Sequence, residues 1–403
     1  MILMQLNSEK ISFLIGSKET LEYIQGTPVL PLFSERAQAF LAALSRALLG
    51  NPQIKEYPDL TDYAFWVRRA SLQKMSQGYP QHTRKLGRGV SFHIAPSNVP
   101  MAFALSYTAA LLAGNSCIVR LSEKTFPQAD ILIDTMNRVL DSFPDIRPYL
   151  CFVRYPHDEE ITAELSAMCD VRLIWGGDQT IRAIRRAPLP PRAVELTFAD
   201  RYSLAVIDSA AYLEMDAGVV AEKFYLDTYY IDQNACSSPR LVIWLGDRDS
   251  VEEAKKRFWG KLREKVCREY ALQPIQAIDK LTAFCKAAVH ENVRLRGEDN
   301  RIVRVEVHSL TPEIMKYKEG GGFFFEYRAQ SMEDLLPMLE KPCQTIACLG
   351  VDPEAMRKLV LGSGMRGGDR VVPMGETNKL TLLWDGFDLC ETMSRYVNIG
   401  REE

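Results

Sequence analysis

The chain has 403 residues, 47% hydrophobic and 25% charged, which is enough to bury more than one core. Its 49 basic and 52 acidic side chains leave a net charge of −3, so no basic excess marks a nucleic-acid partner. Nine cysteines without a C-x-x-C pair and five histidines without an H-x-x-x-H pair exclude a disulfide scaffold and argue against a metal site, so reduced thiols in the cytoplasm are expected.

Met1 to Leu14 is interrupted by Glu9 and Lys10 and lacks a signal peptide's apolar run. No stretch approaches the roughly eighteen apolar residues of a membrane span. Residues 1–30 read as strand-like and irregular, closed by Pro28 and Pro31. Ser34 is placed to cap a helix with Ala37, Phe40, Leu41, Leu44 and Leu48 at helical spacing, stopped by Gly50. A second helix is expected from Thr61 to about Gln77, and neither is assigned chemistry.

From Gly87 the pattern changes to alternating strand and helix. Strands are expected at Val90–Ile94, Ser116–Leu121, Cys151–Arg154 and Val171–Trp175, with helices between them and a short one after Gly176-Gly177-Asp178. Such alternation predicts an α/β fold built on a mainly parallel, doubly wound sheet. Pro188, Pro190 and Pro191 then stiffen the entry to Val194–Phe198, and Ser203–Ile207 reads as a strand. A helix from about Ala217 to Tyr230 leads to Cys236, and Ser250-Val251-Glu252-Glu253 has the form of a capping box. Strands at Ile302–Val307, Phe323–Tyr327 and Thr345–Leu349 predict a second α/β lobe. The expected domains are 1–202 (N-terminal helices and a nucleotide-binding lobe), 203–375 (a catalytic lobe) and 376–403 (a C-terminal segment for packing or oligomerisation).

An open parallel sheet binds ligands beyond the carboxyl ends of its strands. Three loops fall at such ends, Pro96–Pro100, Ser122–Lys124 and Gly176–Asp178, and each precedes a helix. The G-x-G-x-x-G dinucleotide fingerprint is missing, so a different dinucleotide mode is required. Cys236 lies among small and polar residues between a helix and the strand-like Leu241–Leu245, a context unlike that of a core cysteine.

Five motifs in order resemble those of the aldehyde dehydrogenase superfamily. His93-Ile94-Ala95-Pro96-Ser97-Asn98-Val99-Pro100 is similar to its Pro-Trp-Asn-Phe-Pro loop, and Leu112-Ala113-Gly114-Asn115-Ser116 through Ser122-Glu123 to its Ala-Gly-Asn-Thr segment. Trp175-Gly176-Gly177-Asp178 stands for Phe-Thr-Gly-Ser, Glu195-Leu196 for Glu-Leu-Gly-Gly-Lys, and Asn234-Ala235-Cys236 for the Gly-Gln-x-Cys nucleophile loop. The chain more closely resembles the long-chain acyl-CoA reductase branch, the reductase component of bacterial luminescence systems. That likeness rests also on Asp232 to Pro239 and on Arg370-Val371-Val372-Pro373 through Trp384-Asp385-Gly386.

The resemblance implies an aldehyde-dehydrogenase-like fold and NADPH-dependent reduction of a fatty acyl thioester, acyl-CoA or acyl-protein, to the aldehyde. It makes Cys236 the nucleophile, and Asn98, with the backbone N–H of Cys236, the oxyanion donor. Glu195 corresponds to the superfamily's general base and is expected here to tune the thiol or shuttle a proton. Arg120, Ser122 and Glu123 are expected near the adenosine ribose, and Gly176, Gly177 and Asp178 near the pyrophosphate. Glu123 favours NAD(H), while Arg120 with Lys124 suits the 2′-phosphate of NADP(H), which is expected ahead of NAD(H). An acyl-CoA or acyl-carrier substrate, an acyl-protein synthetase or thioesterase partner and a homo-oligomer complete the implied picture. Other readings on the same fold are an NAD-dependent aldehyde dehydrogenase, a thiol acyltransferase and a non-redox scaffold.

Plainer readings of single residues stand beside these. Asn98 suits a helix cap, and His93 a packed position within a strand. The eight other cysteines read as structural, and Phe323–Phe325 as core. Arg294, Arg296, Arg301 and Arg304 read as a solvated basic edge more readily than as a coenzyme A phosphate site.

Overall fold

The computed structural model describes residues 8–400. The expectations for the N-terminal stretch therefore lie, over residues 1–7, outside the described residues. Two compact units emerge: Met1–Ala199 together with Leu380–Glu403, and Asp200–Lys379. No helix among the described residues is long and apolar enough to cross a membrane.

The first unit is built on a six-stranded sheet. Its strands are β1 (Ser12–Ile15), β2 (Val90–Ile94), β3 (Ser116–Leu121), β4 (Leu150–Arg154), β5 (Val171–Trp175) and β6 (Val194–Phe198). They lie in the order β1-β4-β3-β2-β5-β6, parallel throughout except for β1, which runs antiparallel to β4. Every residue of β2, β3 and β5 is buried, as strands covered on both faces require. The helix Ala102–Leu112 is buried all round, which its run of Ala, Leu, Phe and Tyr permits. Residues beyond 380 belong to this unit. Leu382, Trp384, Leu389, Cys390 and Met393 enter its core, and Ser394–Tyr396 pairs antiparallel with Lys85–Gly87.

The expected helix 61–77 is two helices, Pro58–Trp66 and Arg69–Gln77. Leu60, Tyr63, Ala64 and Val67 bury at helical spacing, but the next buried residue, Leu72, falls out of phase with them. A break at Val67–Arg68 turns the second helix so that Leu72 also faces the core. The helix Glu35–Leu49 is as its sequence reads: the Ser34 hydroxyl accepts from Ala37 N–H at 3.3 Å, and Gly50 ends it.

The second unit holds a seven-stranded sheet: β7 (Tyr202–Asp208), β8 (Pro239–Leu245), β9 (Val293–Asp299), β10 (Ile302–Val307), β11 (Phe323–Ala329), β12 (Cys343–Leu349) and β13 (Arg370–Pro373). The order is β9-β10-β11-β8-β7-β12-β13, parallel except for the β9–β10 hairpin at one edge. Phe323, Phe324 and Phe325 are buried core residues. The helix Arg248–Glu269 is capped by Asp247, not by Ser250. Asp247 accepts from Asp249 N–H and Ser250 N–H, and the Ser250 hydroxyl donates back to it at 2.8 Å.

Candidate active site

In the first unit the chain winds away from β2 in both directions, through β3 and β4 on one side and β5 and β6 on the other. The crevice beyond the carboxyl ends of β2 and β5 is therefore the topological switch point, where doubly wound sheets bind ligands. The loop 95–101 leaves β2 there, and Gly176-Gly177-Asp178 leaves β5. Asn98 is exposed on the first loop. It does not cap the following helix, as its plainer reading expected. That helix begins at Ala102, and Met101 holds the cap position without a side-chain cap bond.

Gly177 precedes the short helix Asp178–Ile184, and a side chain added to it would meet nothing within 4 Å. The exposed Asp178 carboxylate faces Arg182, one turn on, at 3.7 Å. Beyond β3, Ser122 donates to the Lys124 carbonyl at 3.1 Å, and Glu123 is exposed. Arg120 is 8% exposed, lies 5.0 Å over the Tyr155 ring and donates from Nη2 to the Tyr155 carbonyl at 3.2 Å. Its Nε is buried without an acceptor. Buried donors in folded proteins are almost always satisfied. An unused one at the carboxyl end of a strand beside the switch point fits a hydroxyl-rich or anionic ligand such as a dinucleotide.

Glu195 has surroundings different from those its expected role needs. It is the second residue of β6, paired in register with Arg172 on β5, in the amino half of a strand whose ligand-facing end is Phe198. Arg172 donates to Oε2 from Nε at 2.8 Å and from Nη2 at 2.5 Å, and Arg185 donates to Oε1 at 2.6 Å. Both carboxylate oxygens are thus held by guanidinium groups, leaving a brace between strand and helix rather than a carboxylate placed to carry a substrate proton.

His93 is buried between two hydroxyls, with Nδ1 2.6 Å from Ser106 Oγ and Nε2 2.8 Å from Ser91 Oγ. Trp175 Nε1 donates to Ser106 Oγ at 3.3 Å, and Ser91 donates to the Ser116 carbonyl at 2.9 Å. Counting donors, Ser106 spends its proton on Nδ1 and the ring gives its Nε2 proton to Ser91, so the imidazole is neutral. Burial pushes its pKa down to about 3. It is a packed histidine.

In the second unit the thiol is carried by an unusual turn. Asp232 and Gln233 are consecutive non-glycine residues with φ of 57° and 52°. Backbone of this kind persists only where surrounding contacts fix it. Asp232 accepts from Gln276 Nε2 at 2.8 Å and from the Tyr270 hydroxyl. Gln233 is fully buried; its Oε1 accepts from Gly322 N–H at 2.6 Å, and its Nε2 donates to the Pro239 carbonyl at 3.1 Å. Gly322 must be glycine, because a side chain there would come 2.1 Å from the Arg301 carbonyl and its φ is +88°. Arg240 donates to the Gln233 and Glu319 carbonyls. Burial lowers its pKa to about 10, against the charges of Glu319, Asp200, Asp232 and Cys236, which raise it.

Cys236 follows this turn and is half-buried. Gln344, fully buried on β12, donates from Nε2 to Cys236 Sγ at 3.2 Å. The Ser203 hydroxyl donates to the Cys236 carbonyl at 2.7 Å and accepts from Thr345 N–H at 3.1 Å. Ser203, Pro239 and Gln344 stand at the starts of β7, β8 and β12, three adjacent strands, so the thiol sits at their amino ends. Segment 375–378 closes on the same loop. Ser237 donates to Asn378 Oδ1 at 2.9 Å, and the buried Asp227 accepts from Gly375 N–H, Thr377 N–H and the Thr377 hydroxyl at 2.6, 3.0 and 2.8 Å.

Six other cysteines, Cys117, Cys151, Cys169, Cys343, Cys348 and Cys390, are buried, and burial pushes Cys117, Cys151, Cys169, Cys343 and Cys348 up to about 12. Cys267 and Cys285 are exposed on helices, contrary to the structural reading of all eight. Sequence reasoning missed Gln344, Ser203 and Arg240. The available signal was polar residues opening otherwise apolar strands, as in Cys343-Gln344-Thr345.

A family model described as acyl-CoA reductase (LuxC) matches residues 19–291. A long-chain acyl-protein thioester reductase of Aliivibrio fischeri is 32% identical over 163 residues, 40% of this chain and 33% of that protein. One from Photorhabdus luminescens is 30% identical over 324 residues, 75% of this chain and 62% of that protein. The chain thus spans from one third to about three fifths of the length of these curated relatives. Among solved structures, 1-pyrroline-5-carboxylate dehydrogenase from Thermus with bound NAD superposes with a TM-score of 0.62 at 13% identity, covering 95% of this chain and 83% of that one. At that identity the likeness establishes the fold, which is that of the aldehyde dehydrogenases.

Proposed function

The chain belongs to the acyl-CoA reductase (LuxC) family, and from that premise we propose that it reduces a long-chain fatty acyl thioester to the aldehyde through an acyl group carried on Cys236. The observation that carries this reading is the thiol itself. Cys236 is half-buried on a strained turn, with a buried amide donor 3.2 Å from its sulfur, whereas six of the other cysteines are sealed in the core. A reactive cysteine needs partial exposure and donors that favour the anion.

In the first unit, Arg120, Ser122 and Glu123 would hold the ribose end of a nicotinamide dinucleotide, and Gly176, Gly177 and Asp178 its pyrophosphate. The unpartnered Arg120 Nε and the open approach at Gly177 support that assignment. When bound, the reduced dinucleotide supplies the hydride, and NADP(H) is proposed ahead of NAD(H) because Arg120 and Lys124 add positive charge beside the ribose position. Asn98 supplies the side-chain donor to the oxyanion, a role supported by its exposure on a switch-point loop.

Glu195 is left out of the chemistry. An aldehyde-oxidising dehydrogenase needs a base to activate water on the acyl-enzyme, and a carboxylate held by Arg172 and Arg185 is poorly placed to do so. That favours a reductase, which must protect its thioester from water. The acyl donor is proposed to be coenzyme A, a carrier protein or an acyl-protein partner.

Mass spectrometry of the intact protein after exposure to a long-chain acyl-CoA, without dinucleotide, tests the reading. One acyl adduct is expected, located on Cys236 and lost in Cys236→Ala. Aldehyde formation persisting in Cys236→Ala would overturn it.

A further inference from the structure

We propose that Gln344 is a catalytic residue, whose side-chain amide stabilises the thiolate of Cys236 as nucleophile and as leaving group. The inference deepens the reading of Cys236 above and rests on it. Three observations carry it. The amide is fully buried, so its donors must find acceptors, and Nε2 points at Sγ from 3.2 Å. From the other side, Thr345 Oγ1 donates to Gln344 Oε1 at 3.3 Å, which complements an amide with its NH₂ group toward sulfur. The cysteine backbone is held by the same strand ends, through Ser203 to the Cys236 carbonyl and Thr345 N–H to Ser203. Gln344 and its acceptor are therefore both immobilised.

A thiol is a weak acceptor and a thiolate a strong one, so a fixed N–H donor favours the ionised sulfur. In acylation, a lone pair of Sγ forms the bond to the acyl carbon, and the bond to the carrier's sulfur breaks with its electron pair leaving on that sulfur. In aldehyde release, the thiohemiacetal oxyanion re-forms its carbonyl and the C–S bond breaks, returning the pair to Sγ. The same amide donor serves both moments without moving. A neutral donor has an advantage over a cation here, because it stabilises the anion without holding it so tightly that nucleophilicity is lost.

The test is the pH dependence of Cys236 alkylation by iodoacetamide, read by peptide mass spectrometry in the full-length protein. Cys267 and Cys285, both exposed, serve as internal references. Gln344→Met, which keeps the volume and removes the donor, is expected to move the Cys236 midpoint up by about one pH unit, a tenfold loss of thiolate below the midpoint. Gln344→Glu should move it further, by placing a carboxylate against the sulfur, and neither variant should move the reference cysteines. Thr345→Val, which removes the hydroxyl bonded to Gln344 Oε1, gives a smaller upward shift and provides a second reading if a Gln344 variant fails to fold. Unchanged midpoints in the folded variants would overturn the role of Gln344. Failure of the parent reading looks different: Cys236→Ala would still form aldehyde, whatever the alkylation profiles show.

Discussion

Gln233 and Gly322 are joined by a 2.6 Å hydrogen bond from the glycine N–H to the Gln233 side-chain oxygen, and that bond fastens the nucleophile turn to the start of β11. The same side chain donates to the Pro239 and Phe323 carbonyls at 3.1 and 3.4 Å and accepts weakly from Phe323 N–H at 3.3 Å. Gln233→Ala would leave these backbone groups buried without partners. A loss of about 2–4 kcal/mol in urea unfolding is expected, since each such group costs roughly 1–3 kcal/mol. Acyl transfer to Cys236 should fall with it.

The ion-pair cluster of the first unit gives an asymmetric prediction. The Arg172 side chain is 3% exposed and Glu195 15%. Arg172→Met leaves Glu195 Oε2 without its guanidinium, with Arg185 alone on Oε1, and removes donors to Ser166 and the Ala187 carbonyl as well. It should destabilise by about 3–5 kcal/mol, the usual result of removing one partner of a buried pair. Glu195→Gln keeps the shape and an acceptor. It should leave the yield of acylated Cys236 unchanged, and a collapse of acylation in Glu195→Gln would restore the carboxylate to the chemistry.

Much of this architecture was legible in the sequence, because the strands of a doubly wound sheet are apolar runs bounded by glycine and proline. Val90–Ile94, Ser116–Leu121 and Val171–Trp175 have the bounds their sequences suggest. What escaped depended on tertiary context. The break at Val67–Arg68 has no glycine or proline to mark it and shows only in the phase of Leu72. Glu195 carries a motif-like neighbour in Leu196, yet its partner Arg172 lies a strand away, and only the register of β5 against β6 reveals the pair. Gln344 is more than a hundred positions from Cys236, and nothing local to either residue announces their contact.

Asp227 predicts one pH dependence. Burial raises its pKa to about 6, against hydrogen bonds from Gly375 and Thr377 that lower it. A carboxyl that binds its proton more tightly folded than unfolded contributes stability at low pH. That contribution is lost as pH rises from about 4 to about 6, and the curve is flat above. The loss is up to about 3 kcal/mol. Asp227→Asn should flatten this part of the stability–pH curve relative to the parent, read as the difference between urea midpoints at pH 4.5 and 7. An identical slope in both proteins would show that Asp227 does not titrate in this window.

His93 predicts the opposite slope. Burial holds its pKa near 3, so the folded protein keeps a neutral ring where an unfolded chain would take up a proton below about 6.5. Stability is therefore unaffected above that pH and is lost progressively as pH falls toward 3, by as much as roughly 5 kcal/mol. Proton-detected NMR of the ring should show one unchanging Nε2-protonated tautomer down to pH 5, because Ser106 donates to Nδ1 and Ser91 accepts from Nε2. His93→Gln, able to donate and accept in the same pocket, should lose less stability between pH 7 and pH 4 than the parent does. A ring that titrates near 6 would mean that the chain of hydroxyls from Trp175 to Ser116 is open to water, and that the core beneath the switch point is less well sealed than its burial implies.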